Sequence, residues 1–259
     1  GMRYGMGGGV DPKHHAIFEE RFGTVLTEGF AMTEGGATSL FVDAVEPRKR
    51  GTRCMGRVRA HQEMKLVDDA GAEIAGEGAG EMLIRHAGPE PRKGFFASYY
   101  KDPAATDAAW EGGWFHTGDV IRRDGDGDLY YLERKKNIIR RSGENIAPAE
   151  IELVLRRHDA VADVAVVATP DPVRGDEVLA FVQPAAGVVG DPALAEALFA
   201  HCYEQLAYYK APGYVAFLDS FPVTSTQKVK RSEVVAMAAS PDDLADCHDF
   251  RDRKKRSAP

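Results

Sequence analysis

Cysteine is scarce in this chain, and long apolar runs are missing from it. The three cysteines (Cys54, Cys202 and Cys247) are odd in number and far apart. They build neither a disulfide framework nor a metal knuckle, which fits a reducing cytoplasm. No run of about eighteen apolar residues occurs, so no membrane span is expected, and the N-terminus has no apolar signal core. The eight histidines show no HExxH and no paired ligand spacing. His14 and His15 read as surface polarity on a short helix. Nor is positive charge in excess: 33 Lys and Arg against 40 Asp and Glu leave a net charge of −7, which argues against nucleic acid as a main partner. A small anionic ligand stays open, because local cations outweigh the global sum. Gly1 before Met2 reads as an expression scar.

What is present is a chain of 259 residues, 44% hydrophobic, enough for a sizeable core and two domains. Asp11-Pro12 pairs an N-cap with a proline at the first helical position and opens a helix that stops near Gly23. Spacing by four puts Phe18 and Phe22 on one face, predicted to meet a sheet. Residues 24–27 read as a short buried strand, with a glycine-bearing loop, 29–36, at its end. Glycine-punctuated pieces such as 64–67 and 81–85 predict a β-rich region, and 103–110 a brief helix. Near Arg134 the pattern turns to compact α+β. Strands are predicted at 129–132, 137–141, 161–168, 178–182 and 214–218, with a helix from Pro148 and a longer one from Asp191-Pro192 to about Tyr209. Leu194, Leu198, Cys202 and Leu206 mark the buried face of the last. The final twenty residues are charged and poor in large apolar groups, so a mobile tail is expected. Its RDRKKR run reads as a solvated end.

Four constellations carry chemistry, and each also has an ordinary structural reading. Gly7-Gly8-Gly9 lets backbone approach a flat ring or a phosphate, yet a glycine triplet is often just a loop. In Glu28-Gly-Phe-Ala-Met-Thr-Glu34 an exposed aromatic can stack on a base, a threonine can bond a phosphate oxygen, and a carboxylate can hold Mg²⁺. Taken singly, Thr33-Glu34 is also a helix start. Thr117-Gly118-Asp119 reads as a turn whose aspartate accepts both ribose hydroxyls, or as a turn closed by an Asx bond. Lys228, on a polar loop near the C-terminus, is either solvated or a mobile positive charge for a transition state.

In this order and spacing the four resemble the adenylate-forming (AMP-binding) superfamily, in particular carnitine/crotonobetaine-CoA ligases and medium- and long-chain fatty-acid-CoA ligases. The stretch GWFHTGDVIRRDGDGDLYYLERKKNIIRRSGENIAPAEIE, from Gly113 to Glu152, is the most specific part. The resemblance implies α/β and α+β architecture. Residues 1–133 would be the distal part of the large AMP-binding domain, with a β-rich subdomain at about 40–133. Residues 134–239 would be a small α+β lid domain, followed by a flexible tail at 240–259. It implies a cytoplasmic acyl-CoA synthetase of fatty acid metabolism, using ATP, Mg²⁺ and coenzyme A. The carboxylic acid is adenylated first, and the coenzyme A thiol then displaces AMP.

Carried over by motif, Gly7, Gly8 and Gly9 with Glu28, Gly29 and Phe30 would line the adenine slot. Thr33 would touch the α-phosphate, Glu34 would ligate Mg²⁺, and Asp119 and Arg134 would hold the ribose. Lys228 would reach the phosphoryl and carboxylate oxygens, and Lys136 occupies the hinge position. Ser142, Gly143 and Glu144 would line the pantetheine tunnel, with Arg140 facing the thiolation site. Phe30-Ala31 stands where Tyr-Gly is commoner, and Gln227 replaces the glycine usual before the lysine. The family's Ser/Thr/Gly-rich phosphate loop has no counterpart in these residues. A C-terminal fragment is therefore expected, inactive alone, pairing with a missing N-terminal half or forming a homodimer. A non-catalytic adenylate-binding module and an adenylation domain serving a carrier protein are the alternatives.

Overall fold

The computed structural model describes residues 3–36, 41–225, 229–241 and 246–255. The chain divides into two compact units, Gly1–Lys135 and Lys136–Pro259. No helix among the described residues is long and apolar enough to cross a membrane.

Unit 1 opens with β1 (Tyr4–Gly7), α1 (Pro12–Phe22) and β2 (Val25–Phe30), a right-sized βαβ unit in which β1 and β2 pair in parallel. The start of α1 follows the local chemistry: Asp11 accepts from the Lys13 N–H, Pro12 takes the first position, and Gly23 closes the helix at φ 57°. Its packing does not follow the expected pattern. Phe22 stands 58% exposed, its ring against Phe18 at 4.8 Å. A polar network seats the helix instead, and His15 is buried rather than a surface residue. Its Nε2 donates to the Leu26 carbonyl at 2.6 Å and its Nδ1 accepts from the Gly51 N–H. Glu19 accepts from the Leu26 N–H and pairs with Arg48, which pulls its carboxyl down to about 2.

After β3 (Phe41–Val42), which pairs with β2, the chain forms a second sheet. Its strands are β4 (Gln62–Val67), β5 (Glu73–Ile74), β6 (Gly78–His86), β7 (Phe115–Arg123) and β8 (Leu129–Arg134), antiparallel in the order β5-β4-β6-β7-β8. Helix α2 (Pro103–Ala109), capped by Asp102, lies between β6 and β7 in the chain. Phe41, Leu66, Met82, Ile84, Phe115, Ile121 and Leu129 form the fully buried centre.

Unit 2 contains β9 (Ile139–Arg141), β10 (Glu144–Ile146), α3 (Pro148–Leu155), β11 (Val161–Asp171), β12 (Gly175–Pro184), α4 (Pro192–Gln205), β13 (Tyr214–Phe217), α5 (Arg231–Met237) and β14 (Cys247–Asp249). Strand β12 is central: it pairs with β11, with β13 and, through Gly175 opposite Arg141, with β9. Alternation sends Val164, Val166, Val178, Ala180 and Val182 into one core with α3 and α4. Ala165, Val167, Leu179 and Phe181 enter the other core, with Val234 of α5. A sheet covered on both faces explains the unbroken apolar runs of these strands.

The charged C-terminal segment is not the expected mobile tail where it is described. Residues 247–249 add β14 antiparallel to β13, and the Phe250 ring stacks on Phe199 at 4.8 Å. The charges between them are paired, Arg251 with Asp249 and Asp171 and Arg253 with Glu196. One aromatic anchor and a row of backbone bonds therefore dock the segment without a broad apolar surface. Phe250→Ala is expected to destabilise unit 2 by about 3 kcal/mol, the cost of emptying a buried aromatic site. Thermal unfolding measures it, and a solvated tail would give no change.

Candidate functional site

The Thr117-Gly118-Asp119 motif is not a turn. It lies inside β7 as a bulge: Val120 pairs with Glu81 and His116 with Leu83, so residues 117–119 stand opposite Met82 alone. Gly118 takes φ 66°, with open space where a side chain would stand. The Thr117 hydroxyl donates to the Met82 carbonyl at 2.7 Å and accepts the Asp119 N–H at 3.1 Å, which locks the bulge. Asp119 then sits opposite Arg134 of β8.

The Asp119 side chain is 1% exposed. Arg134 Nε lies 3.0 Å from its Oδ1, yet at an angle that leaves both carboxylate oxygens without a hydrogen bond. The same guanidinium donates from Nη1 to the Thr117 carbonyl. Burial pushes the Asp119 carboxyl up to about 6. Arg134 opposes the rise, and Glu133, Glu34 and Glu81 add to it. Glu34 therefore shares an electrostatic neighbourhood with Asp119, although 85 positions separate them in the chain (119 minus 34).

Glu34 is held by a residue that the sequence did not single out. The Tyr99 hydroxyl donates to Glu34 Oε1 at 3.2 Å, and the Phe96 N–H donates to the Glu34 carbonyl at 2.7 Å. Tyr99 is fixed in turn by its own N–H on the Thr106 hydroxyl at 3.0 Å. Thr33 is exposed beside it. Glu81 was missed as well: it pairs with Lys135 at 2.6 Å and faces His116 Nδ1 at 3.5 Å. Contacts made 54 and 65 residues apart leave no local signal.

The glycine triplet and Glu28 meet through backbone hydrogen bonds. Gly7 ends β1, where an added Cβ would lie 2.3 Å from Val10 Cγ2, and Gly9 takes φ 72°. The Glu28 carboxylate, 4% exposed, accepts from the Gly9 and Val10 N–H groups, and so fastens the loop to β2. Gly29 and Phe30 lie in β2 rather than in a following loop. The Phe30 ring is not the exposed platform read from the sequence: it is 9% exposed and stacks on Phe41 at 5.9 Å. A Cβ at Gly29 would stand 2.9 Å from Met6 Sδ and 3.3 Å from the Phe41 carbonyl oxygen, a tight fit that the methionine side chain can relieve by shifting.

In unit 2, Arg140 and the Ser142, Gly143 and Glu144 turn are exposed at the tip of the β9–β10 hairpin. Ser142 and Gly143 take φ 50° and 86°, the positive pair that a tight two-residue hairpin requires. Lys136, also exposed, opens the unit inside a 3-10 turn, Lys135–Asn137. Lys228 and Gln227 lie outside the described residues. Among the described residues one carboxylate group has metal-like spacing, Asp124, Asp126 and Asp128. Lys49 Nζ already stands 2.9, 3.2 and 2.7 Å from the three, so an ammonium occupies that centre.

Comparison with known proteins gives a consistent answer. The sequence pattern of AMP-binding enzymes matches residues 1–99, and that of the AMP-binding enzyme C-terminal domain matches residues 150–228. A sulfoacetate–CoA ligase of Cupriavidus necator is 35% identical over 87% of this chain and 42% of its own length. A crotonobetaine/carnitine–CoA ligase of Proteus mirabilis is 34% identical over 82% and 40%. Among solved structures, an amide bond synthetase from Marinactinospora thermotolerans superposes with a TM-score of 0.75 at 30% identity, over 91% of this chain and 46% of that one. An anthranilate CoA ligase in complex with anthranoyl-AMP gives 0.78 at 25% identity, over 93% and 46%. The chain thus spans about two fifths of the curated relatives it matches.

A buried charge without hydrogen bonds penalises the fold. Because the folded pKa of Asp119 is raised from 3.8 to about 6, the penalty develops as pH rises through that window and is complete above it. Asp119→Asn is expected to stabilise the chain at pH 7.5 by on the order of 2 kcal/mol. The gain should vanish as pH falls towards 4, which thermal unfolding at the two pH values measures.

Proposed function

The chain belongs to the AMP-binding family of enzymes, and from that premise we propose that it is the distal portion of an acyl-CoA synthetase. The whole protein would adenylate a carboxylic acid with ATP and pass the acyl group to the thiol of coenzyme A. The observation that carries this reading is the Asp119 carboxylate, buried and accepting no hydrogen bond. Two ribose hydroxyls are donors that such a group lacks, and they suit a carboxylate far better than further anions would. Arg134 is half exposed, so it swings off Oδ1 to admit the ribose and then closes on it. Tyr99 holds the Glu34 carboxylate in place for Mg²⁺, which when bound neutralises charge on the phosphoryl oxygens. Lys228 keeps the role its motif gives it, a mobile cation for the adenylation step. Arg140, Ser142, Gly143 and Glu144 present the thiol-step turn from unit 2.

Adenosine is the cleanest probe, since it has no phosphate to titrate. Asp119 offers both oxygens as acceptors to the two hydroxyls only when ionised. Affinity measured by calorimetry is therefore expected to be flat above pH 6 and to fall by up to about tenfold per unit below it. Asp119→Ala should abolish the binding. Affinity that ignores pH between 7 and 5 would remove the aspartate from the site.

A second reading, a non-catalytic adenylate-binding module, is favoured by one sequence observation: no Ser/Thr/Gly-rich phosphate loop occurs in the 259 residues. We expect the purified chain to give negligible ATP–pyrophosphate exchange over a broad set of carboxylic acids, and robust exchange would overturn that. Tyr4, Met6, Ile17, Phe22 and Val25 stand 42–58% exposed on the β1–α1–β2 unit, and β1 is an edge strand among those described. Such a face suits a further stretch of large domain, or a second copy, laid against it.

A further inference from the structure

In the basic run Arg251–Lys255 most cations behave as a solvated end should, but Lys254 does not. Its side chain is fully buried, while Arg253 beside it is half exposed. The Nζ donates to Glu177 Oε1, and Glu177 is itself fully buried. The same carboxylate already accepts from Arg141 Nε at 2.8 and 3.0 Å and from the Val178 N–H at 2.8 Å. One pair, Arg141 with Glu177, would have been neutral. A second buried cation on one carboxylate adds desolvation without need, and an apolar residue would fill the slot at lower cost. Burial accordingly draws the Lys254 ammonium down to about 8, against the pull of Glu177.

The use of the third member lies in what Arg141 carries. It is the last residue of β9, and β9 joins β12 through a single pair, Arg141 opposite Gly175. The next residues are the Ser142, Gly143 and Glu144 turn. Glu177 packs closely on Gly213, where an added Cβ would stand 2.4 Å from its Cδ, and Lys254 donates to its Oε1. Its own place is set by Phe250 on Phe199, by the Phe250 N–H on the Gly213 carbonyl at 2.8 Å, and by the Tyr203 hydroxyl on the Lys255 carbonyl at 2.6 Å.

We infer that Lys254 is a positioning residue: from the C-terminal segment it fixes, through Glu177 and Arg141, the hairpin turn 142–144 that the proposed reaction offers to the thiol. The role of the turn rests on the function proposed above, whereas the mechanical coupling does not. Hydrogen exchange by mass spectrometry, on the full chain without ligand, tests the coupling. Lys254→Met should speed exchange of amides 140–146 about tenfold and leave β11 amides 161–171 unchanged, because local opening is confined to its own cooperative unit. Arg253→Met, in the same segment, should leave the hairpin unchanged. Equal acceleration in both regions, or none at 140–146, overturns the inference. Should Lys254→Met not fold, exchange of the unmutated chain against denaturant decides. Amides 140–146 and 247–255 should open together and before 161–171, and separate openings refute the coupling. Adding coenzyme A to the unmutated chain should protect 140–146. Absence of that protection counts against the thiol-step reading alone.

Discussion

The function proposed for unit 1 depends on one buried carboxylate that is ion-paired but accepts no hydrogen bond. Asp119 is placed inside by a bulge that sets residues 117–119 against Met82 alone, and its neighbour across the sheet contacts it without donating a hydrogen bond. A carboxylate in that state is unfavourable in the empty protein and becomes favourable when donors arrive. The surrounding acids sharpen the effect, since Glu133, Glu34 and Glu81 all raise its pKa. Under the proposed function, the sugar hydroxyls would supply the donors that the aspartate lacks, and Arg134 would be freed to face the ligand, so a chain with a net charge of −7 would not need an excess of cations to hold a nucleotide.

Unit 2 solves the opposite problem. Glu177 has two cations where one would balance it: Arg141 and Lys254 both donate to it, together with the Val178 amide. An under-supplied carboxylate is suited to binding, because a ligand completes it. An over-supplied one is suited to rigidity, because each donor restricts the others. The two sites lie on different units and use the same chemical group in opposite ways. A third cluster, Asp124, Asp126 and Asp128 around Lys49, shows the same economy of charge: a tethered ammonium takes the place that a free cation would otherwise fill.

The helix starts were legible from the sequence because their chemistry is local. Asp11-Pro12, Asp102-Pro103 and Asp191-Pro192 each cap a helix within three residues, and Pro148 opens α3. Most strands of unit 2 were legible for a similar reason, since runs such as 161–168 and 178–182 are apolar on both faces. The Thr117-Gly118-Asp119 bulge was not. A glycine at positive φ looks the same in a turn and in a bulge, and only the partner strand tells them apart. Tyr99 and Lys254 were illegible for the same physical reason, being joined to Glu34 and Glu177 across 65 and 77 residues. Average composition described a solvated segment, but a single phenylalanine in register with α4 and a free edge on β13 were enough to dock it.

The residues that the motif assigned to an adenine slot show how far a motif can be read without geometry. Glu28 meets the glycine loop, but its carboxylate is spent on the loop's own N–H groups and Phe30 leans on Phe41. Burial raises the Glu28 pKa while the Gly9 and Val10 amides oppose the rise, so this acid is satisfied where Asp119 is not. Of these two buried acids, Glu28 already accepts from two backbone N–H groups, whereas neither oxygen of Asp119 accepts a hydrogen bond. Under the function proposed above, recognition of a nucleoside would rest on the sugar edge at Asp119 rather than on the Phe30 ring, which is buried against Phe41.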